Sequence, residues 1–328
     1  AESQGVFWVN LPDLAASAAE IQVQRGVGAS TNGPGAFGAT VNLDLSRIHP
    51  EPFATVTNSV GSFGARKHSA YVGTGLLGNK VAFTGRLSQI ASNGYVDRAA
   101  ADLRSYHLTG AYVDDRQSLQ AQVLSGHERT YQAWYGLPAQ YLDSAHLRTY
   151  NPAGTERAGD PYPDEVDDYT QRHYLLHYKR LLAQGLDLQL NGHYTRGFGF
   201  YEQYKAAQRF AGYGLPPLLL GDTLVERTDL VRRRWLDNHF YGGTFALRWS
   251  PAVNPPVLSS APVLMLGGAM SRYEGKHFGE VIWADYAVPK DFRYYDNDAD
   301  KRDANVFGKI GSHRQRIAPT APLPVPLR

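Results

Sequence analysis

Leu186-Asp-Leu-Gln-Leu-Asn-Gly-His-Tyr194 decides how this chain is to be read. In an extended chain Leu186, Leu188, Leu190 and Tyr194 fall on one side, and Asp187, Gln189, Asn191 and His193 on the other, because successive strand side chains point to opposite faces. The same alternation runs through Val81–Ser88, where Val81, Phe83 and Leu87 oppose Thr84, Arg86 and Ser88. It returns at Tyr106–Val113, Leu119–Leu124, Tyr174–Tyr178 and Tyr241–Trp249. The period predicts strands near 53–62, 67–76, 79–90, 104–114, 117–128, 170–182, 186–197, 235–249, 262–275 and 279–287. These average about a dozen residues, against about 5–6 in globular sheets and about 9–11 for a strand tilted across a bilayer.

The connections alternate as well. Short turns at Leu77-Gly78, Asp114–Arg116 and Ala183–Gly185 are interleaved with long segments near 91–103, 129–169 and 198–234. One rim of tight turns and one of large loops is the arrangement of an outer-membrane barrel. The segments 63–66 and 250–261 fit that parity less well. Tyr106, Tyr112, Tyr178, Tyr194 and Trp249 lie on the apolar face near strand ends, where aromatic girdles meet lipid headgroups. A soluble sandwich also alternates, with core and water as its two faces. The polar face, with Arg86, His107, Gln120, Gln122, Asp187, Gln189 and His193, suits either bulk water or a hydrated lumen.

Composition narrows the classes. Lys and Arg total 33 against 31 for Asp and Glu, a formal charge of +2, too balanced for the basic footprint that nucleic acid demands. With no cysteine, disulfides, thiolate metal sites and a cysteine nucleophile are excluded. The mean hydropathy is −0.39 and no apolar run reaches the roughly 18 residues of a membrane helix, which leaves a transmembrane barrel open. Ala1 is followed by no basic and apolar leader, as expected of a cytoplasmic protein or of a mature or partial chain.

Upstream lies Arg25-Gly-Val-Gly-Ala-Ser-Thr-Asn-Gly-Pro-Gly-Ala-Phe-Gly38, in which Gly33, Gly35 and Gly38 have G-x-G-x-x-G spacing. Dinucleotide binding needs a helix next and an acid about 20 residues on. Here the strand-like Ala39–Leu45 follows, and no acid lies between Glu51 and Asp97. A phosphate loop fails because Pro34 occupies the lysine position. A plain linker is undercut by the strand-like flanks Ile21–Gln24 and Thr40–Leu45. The whole segment resembles the end of the plug domain of TonB-dependent outer-membrane receptors. Their strand, Arg-Gly, glycine-rich connection and strand ending in Val-Asn match Arg25-Gly26, then Gly33, Gly35 and Gly38, then Val41-Asn42. Asn32 stands where the family often has Tyr, and Ala39 where it often has a second Gly. The motif glycines read as structural, supplying sharp turns and close approach to a barrel wall.

The resemblance implies an all-β fold: the end of a plug domain at 1–45, then the N-terminal strands of a partial transmembrane antiparallel β-barrel at 46–310. That is about ten strands of a 22-stranded family barrel. Residues 311–328, with Pro319, Pro322, Pro324 and Pro326, read as a tail foreign to the family, because proline cannot donate to a ladder. A barrel fragment has two open edges, so the chain alone is expected neither to transport nor to migrate heat-modifiably on a gel. The implied function is TonB-powered uptake across the Gram-negative outer membrane of a ferric siderophore, cobalamin or glycan. Its partners would be the TonB complex, whose contact segment is not seen in this sequence, the small nutrient and outer-membrane lipid. A soluble periplasmic β-rich binding protein is the alternative.

No catalytic set, cofactor motif or metal site is evident. His173 and His177 stand four apart on a strand, more than 12 Å from each other by the rise of about 3.3 Å per residue, and read as lumen-facing. Asp296–Asp300 lacks the glycine and terminal glutamate of a calcium loop and reads, like Asp164–Asp168, as a solvated loop. Tyr131, Trp134, Tyr135, Tyr141 and Tyr150 crowd one long connection. They fit either ligand contact or packing of that loop on itself, and the first four are taken as candidate ligand contacts. Arg233, central in Arg232-Arg-Arg234, is a candidate for an anionic chelate, with a strand-end charge cluster as the plainer reading.

Overall fold

The computed structural model describes residues 7–26, 38–250, 261–286, 288–289 and 292–313. A small N-terminal unit holds 3-10 turns at Trp8–Asn10 and Leu14–Ser17 and a ribbon of β1 (Glu20–Arg25) with β2 (Ala39–Asp44). There follow β3 (Pro52–Val60), β4 (Arg66–Thr74), β5 (Val81–Ser92), β6 (Ala101–Val113), β7 (Gln117–Tyr131), β8 (Val166–Ala183) and β9 (Leu186–Arg209). After the two short strands β10 (Leu218–Leu220) and β11 (Thr223–Val225) come β12 (Arg227–Trp249), β13 (Ala261–Ala284) and β14 (Phe292–His313). Apart from the ribbons β1–β2 and β10–β11, the strands form one antiparallel meander of ten in the order β14-β13-β12-β9-β8-β7-β6-β5-β4-β3. Its edges β3 and β14 do not pair with each other among the described residues.

The register fixes two faces. Leu119, Tyr178, Leu190 and Phe245 lie in one cross-strand row and share a face with exposed Phe83, Leu87, Leu108, Leu176 and Leu266. Polar belts bound this apolar band. Tyr106, Tyr174, Tyr194 and Tyr241 stand toward the long-loop rim, with Tyr112, Tyr178 and Trp249 toward the short-turn rim. The other face buries Arg86, Ser88, His107, Thr109, Gln120 and Gln122, and against it sits the N-terminal unit. His173 and His177 are on this second face, within 2.9 Å of Thr195 Oγ1 and Asn191 Oδ1.

Several expectations are corrected. The strands expected near 262–275 and 279–287 are one strand, β13, of 24 residues. Its glycines admit aromatic rings where turns were expected: a Cβ at Gly279 would lie 2.4 Å from rings of both Tyr294 and Tyr295. The connection expected over 198–234 shrinks to 210–226, because Gly197 and Gly199 leave room for Tyr169 and the ladder between β9 and β12 continues up to Arg209 and Arg227. Asp296–Asp300 is strand, not loop, held by cross-strand pairing of Arg272 with Asp300, and Asp164–Asp168 is not a solvated loop either, since β8 begins at Val166 and Glu165 is buried. Strand β14 also runs three residues past 310, Gly311–His313 pairing with Ala261–Val263. The rest of the proline-rich stretch lies outside the described residues.

Candidate ligand site at the loop rim

The N-terminal unit is tied to the wall by charge. Asp13, in the left-handed region at φ 57°, accepts hydrogen bonds from Arg86 Nη1 at 3.1 Å and Ser88 Oγ at 2.7 Å, and pairs with Lys67. Arg86 Nε donates to Ser17 Oγ at 2.6 Å, and Gln122 Nε2 to the Leu45 carbonyl at 3.3 Å. At Gly126 a Cβ would stand 2.3 Å from the Asn10 carbonyl, so the close approach of unit and wall is bought by a glycine of the wall.

The motif glycines behave differently. Gly26 sits at φ +69°, a conformation glycine adopts without strain, and its amide donates to the Gly38 carbonyl at 2.9 Å, closing the ribbon. Nothing lies within 4 Å of a Cβ at Gly26 or Gly38. Arg25 pairs with Ala39 and Asn42 with Gln22 in the ribbon ladder, both exposed. Gly33 and Gly35 lie outside the described residues.

Above the unit, the longer strands carry a basic, phenolic group on the lumen face. Gln122 shares that face with Leu175, His193 and Gly242 by register, and counting by twos places Tyr201, Gln203, Arg232 and Arg234 there too. Arg234 donates to Tyr201 Oη at 2.8 Å and Tyr294 Oη at 3.2 Å. Arg232 donates to Gln203 Oε1 at 2.9 Å and Tyr213 Oη at 3.2 Å. The Tyr213 and Tyr294 rings meet at 4.8 Å, and Trp134 meets Tyr201 edge-on at 6.0 Å. Among the described residues neither Arg232 nor Arg234 has a carboxylate within ion-pair distance, and the buried Arg232 Nε has no hydrogen-bond partner. Two unneutralised guanidiniums framed by phenols form a site for a negatively charged, planar or aromatic guest.

Arg233 points the other way. Its Nε meets Glu202 Oε2 at 2.6 Å and its guanidinium covers the Phe200 ring at 4.2 Å, on the outer face. Tyr131 is likewise occupied: buried with Ala153, Val166 and Phe200, it donates to the Tyr162 carbonyl at 2.6 Å. Tyr162 in turn donates to Glu202 at 2.5 Å, and burial together with that carboxylate pushes its phenol pKa up. Gln132 and Asn151 stitch the loop to Val166, Glu202 and Asp97 carbonyls at 2.9–3.0 Å. Tyr141 packs edge-on against Tyr150 at 5.6 Å, while Trp134 and Tyr135 are more than half exposed. Trp134 is thus the candidate that joins the Arg232–Arg234 group. Arg232 and Arg234 belong to the arginine run that the sequence singles out, with Arg233 as its candidate; Tyr201 and Tyr213 carry no sequence signal because 198–234 reads as loop, and Tyr294 lies beyond the last expected strand.

A ten-stranded meander with an apolar outer belt, a polar inner face and a globular unit docked on that face has the fold of a plugged outer-membrane β-barrel, in part. The particular likeness is to TonB-dependent receptors. The chain is similar to the ferric citrate transporter FecA in its unliganded form (TM-score 0.60, 15% identity, 89% of this chain and 40% of that one). It is similar also to the pyoverdine outer-membrane receptor FpvA from Pseudomonas aeruginosa PAO1 (0.63, 12%, 90% and 43%). The siderophore receptor PiuA from Acinetobacter baumannii is a third (0.63, 10%, 90% and 45%). At these identities the likeness is one of fold, and the chain spans about two fifths of each receptor. No family model matches the sequence, and no curated protein matches it.

Proposed function

We propose that this chain is part of a TonB-dependent receptor in the Gram-negative outer membrane, with 1–45 as the end of its plug, 46–310 as barrel whose last strand runs on to His313, and the remainder to 328 as a tail foreign to the family. The receptor takes up a small anionic nutrient, a ferric siderophore or related chelate, with energy from the TonB complex. The observation that carries this reading is the lumen-side group of Arg232, Arg234, Tyr201, Tyr213 and Tyr294, uncompensated by carboxylate and facing the same space as the docked N-terminal unit. A ferric chelate with exposed carboxylates or phenolates offers the charge and flat surface that such a group complements. Arg233, bound to Glu202, instead steadies the wall and the long loop.

Two measurements test this. Expressed in a Gram-negative host, the chain is expected in the outer-membrane fraction; recovery in soluble periplasm would favour the β-rich binding protein. Ferric citrate, as an anionic probe read by quenching of tryptophan fluorescence, is expected to bind the parent protein and to lose about tenfold or more in affinity on Arg232→Gln plus Arg234→Gln. Arg233→Gln is expected to leave binding unchanged. Equal losses in the double variant and in Arg233→Gln would show that the face assignment does not govern binding.

A further inference from the structure

On the outer wall, opposite the plug, a groove of about 690 Å³ crosses β3 to β8. It opens where the outer shell thins: Ala70 and Ser125 are small, while Leu87, Tyr106 and Arg172 beside them are large. The register sets its height. Leu87, Tyr106, Ser125 and Arg172 share one cross-strand row, and Gln89, Arg104, His127 and Thr170 share the next row toward the loops. Below these rows the same face is apolar, with Phe83, Leu108 and Leu119 exposed. The groove therefore straddles the change from apolar band to polar belt, on the loop side and beside the aromatic Tyr106.

Its chemistry is two-part. The lower row is Val56, Ala70, Leu87 and Tyr106, closed at its β8 end by Arg172, and the upper row carries Arg104 and His127, with no acidic residue in the lining. Arg104 is held by Asp102 at 2.8 Å and His127 by Asp168 at 3.0 Å. Arg172 has no ion-pair partner among the described residues. Arg104 on β6 and Arg172 on β8 flank β7 one row apart, so at about 4.8 Å per strand and about 3.3 Å per residue their backbones stand about 12 Å apart on the diagonal, and the small Ser125 leaves the space between them open to both guanidinium arms.

We propose that this groove holds a phosphorylated, acylated lipid of the leaflet on the loop side, with its phosphate between Arg104 and Arg172 and an acyl chain along Val56, Leu87 and Tyr106. Guanidinium suits phosphate because its fork of N–H groups matches two phosphate oxygens, and an apolar floor directly beneath a cationic rim matches a headgroup above a chain. A free anion would use the rim and leave the floor bare. The proposal rests on the outer face being membrane-facing.

Native mass spectrometry of the detergent-extracted protein with diphosphoryl lipid A, and with a phosphate-free form of the same lipid, tests it. The parent protein is expected to retain the diphosphoryl lipid about tenfold better, and Arg104→Gln with Arg172→Gln to reduce it to the phosphate-free level. Arg302→Gln, exposed on the far edge strand, is expected to retain the lipid as the parent does, which separates the site from general charge. Equal retention of both lipids, or undiminished retention by the double variant, overturns the site while an outer-membrane location stands. Full displacement by millimolar inorganic phosphate assigns the rim to a free anion and overturns the lipid. Retention of neither lipid by a parent protein found in soluble periplasm fails the site and the membrane reading together.

Discussion

The first four strands of the wall and the last four divide the work between them. Strands β3 and β4 have nine residues each, β5 twelve and β6 thirteen; β9, β12, β13 and β14 have 22 to 24. At about 3.3 Å per residue the short strands do little more than cross a bilayer, while the long ones rise well beyond it. The polar residues of the short wall are spent on the N-terminal unit: Arg86, Lys67 and Ser88 all converge on Asp13. In the tall wall, Arg232 and Arg234 meet only phenols and an amide. Neutralised charge fastens the plug segment, and charge left over faces the mouth.

Asp13→Ala breaks the contrast most directly. It strands Arg86, which is only 2% exposed, as a buried unpaired charge, and breaking such a pair costs about 3–5 kcal/mol. A fall of that order in denaturation free energy is expected, with residues 7–26 becoming accessible to protease. Arg129→Gln removes pairs that stand largely in solvent on the outer side and is expected to cost less than about 1 kcal/mol. Equal effects would mean that burial does not set the strength of the latch. Gly126→Ala is the next largest. Its added methyl meets the Asn10 carbonyl and the Pro12 ring, overpacking worth about 1–3 kcal/mol, and should speed hydrogen exchange at Trp8–Leu11.

The part of the wall within the apolar band was the more legible, in short and long strands alike. Alternation at Val81–Ser88 and Leu119–Leu124 placed Arg86, Gln120 and Gln122 on a polar face, because there each strand is bounded by water or plug on one side and an apolar surface on the other. Above the apolar band the two faces of the tall wall are both polar, so the period vanishes into Arg232-Arg-Arg234 and the aromatic-glycine run Gly197–Tyr201. What makes those residues strand is the ladder to their neighbours, a long-range fact that local pattern does not contain. The choice of Arg233 over its neighbours failed to anticipate this: adjacent strand residues face opposite sides, so the central arginine is the one that turns from the other two. Asp13 carried no signal, since its partners lie 54 to 75 positions away.

The loop that caps the tall wall gives a pH test. Burial raises the Glu165 carboxyl above its ordinary value, against the backbone amides of Gly154 and Tyr204 that favour its charge. The folded loop therefore prefers the protonated acid, and its stability is greatest at low pH and falls as pH rises through the ordinary carboxylate range toward the raised value. Protease nicking of 132–165 is expected to increase over that interval in the parent protein and to stay level in Glu165→Gln. An unchanged slope in the variant would place the titration elsewhere.

The smallest expected effect has the opposite sign and belongs to the short-turn rim. Asp114 accepts the amides of Arg116 at 2.8 Å and Gln117 at 2.9 Å, with Gln117 Nε2 at 3.1 Å and Tyr112 Oη at 3.0 Å. These donors hold its carboxyl down at about 2. The ionised form thus steadies the turn at all pH above the usual carboxylate value, and the contribution is lost as pH falls from there toward 2. The side chain is open to water, so the loss is local, a loosening of 114–117 that leaves the wall intact. Hydrogen exchange of the Arg116 and Gln117 amides, normalised for its intrinsic pH dependence, is expected to lose protection between about pH 4 and 2 in the parent protein. Asp114→Asn, which keeps one acceptor but has no charge to lose, should show weaker protection throughout and no step; a step of the same size in the variant would place the titration elsewhere.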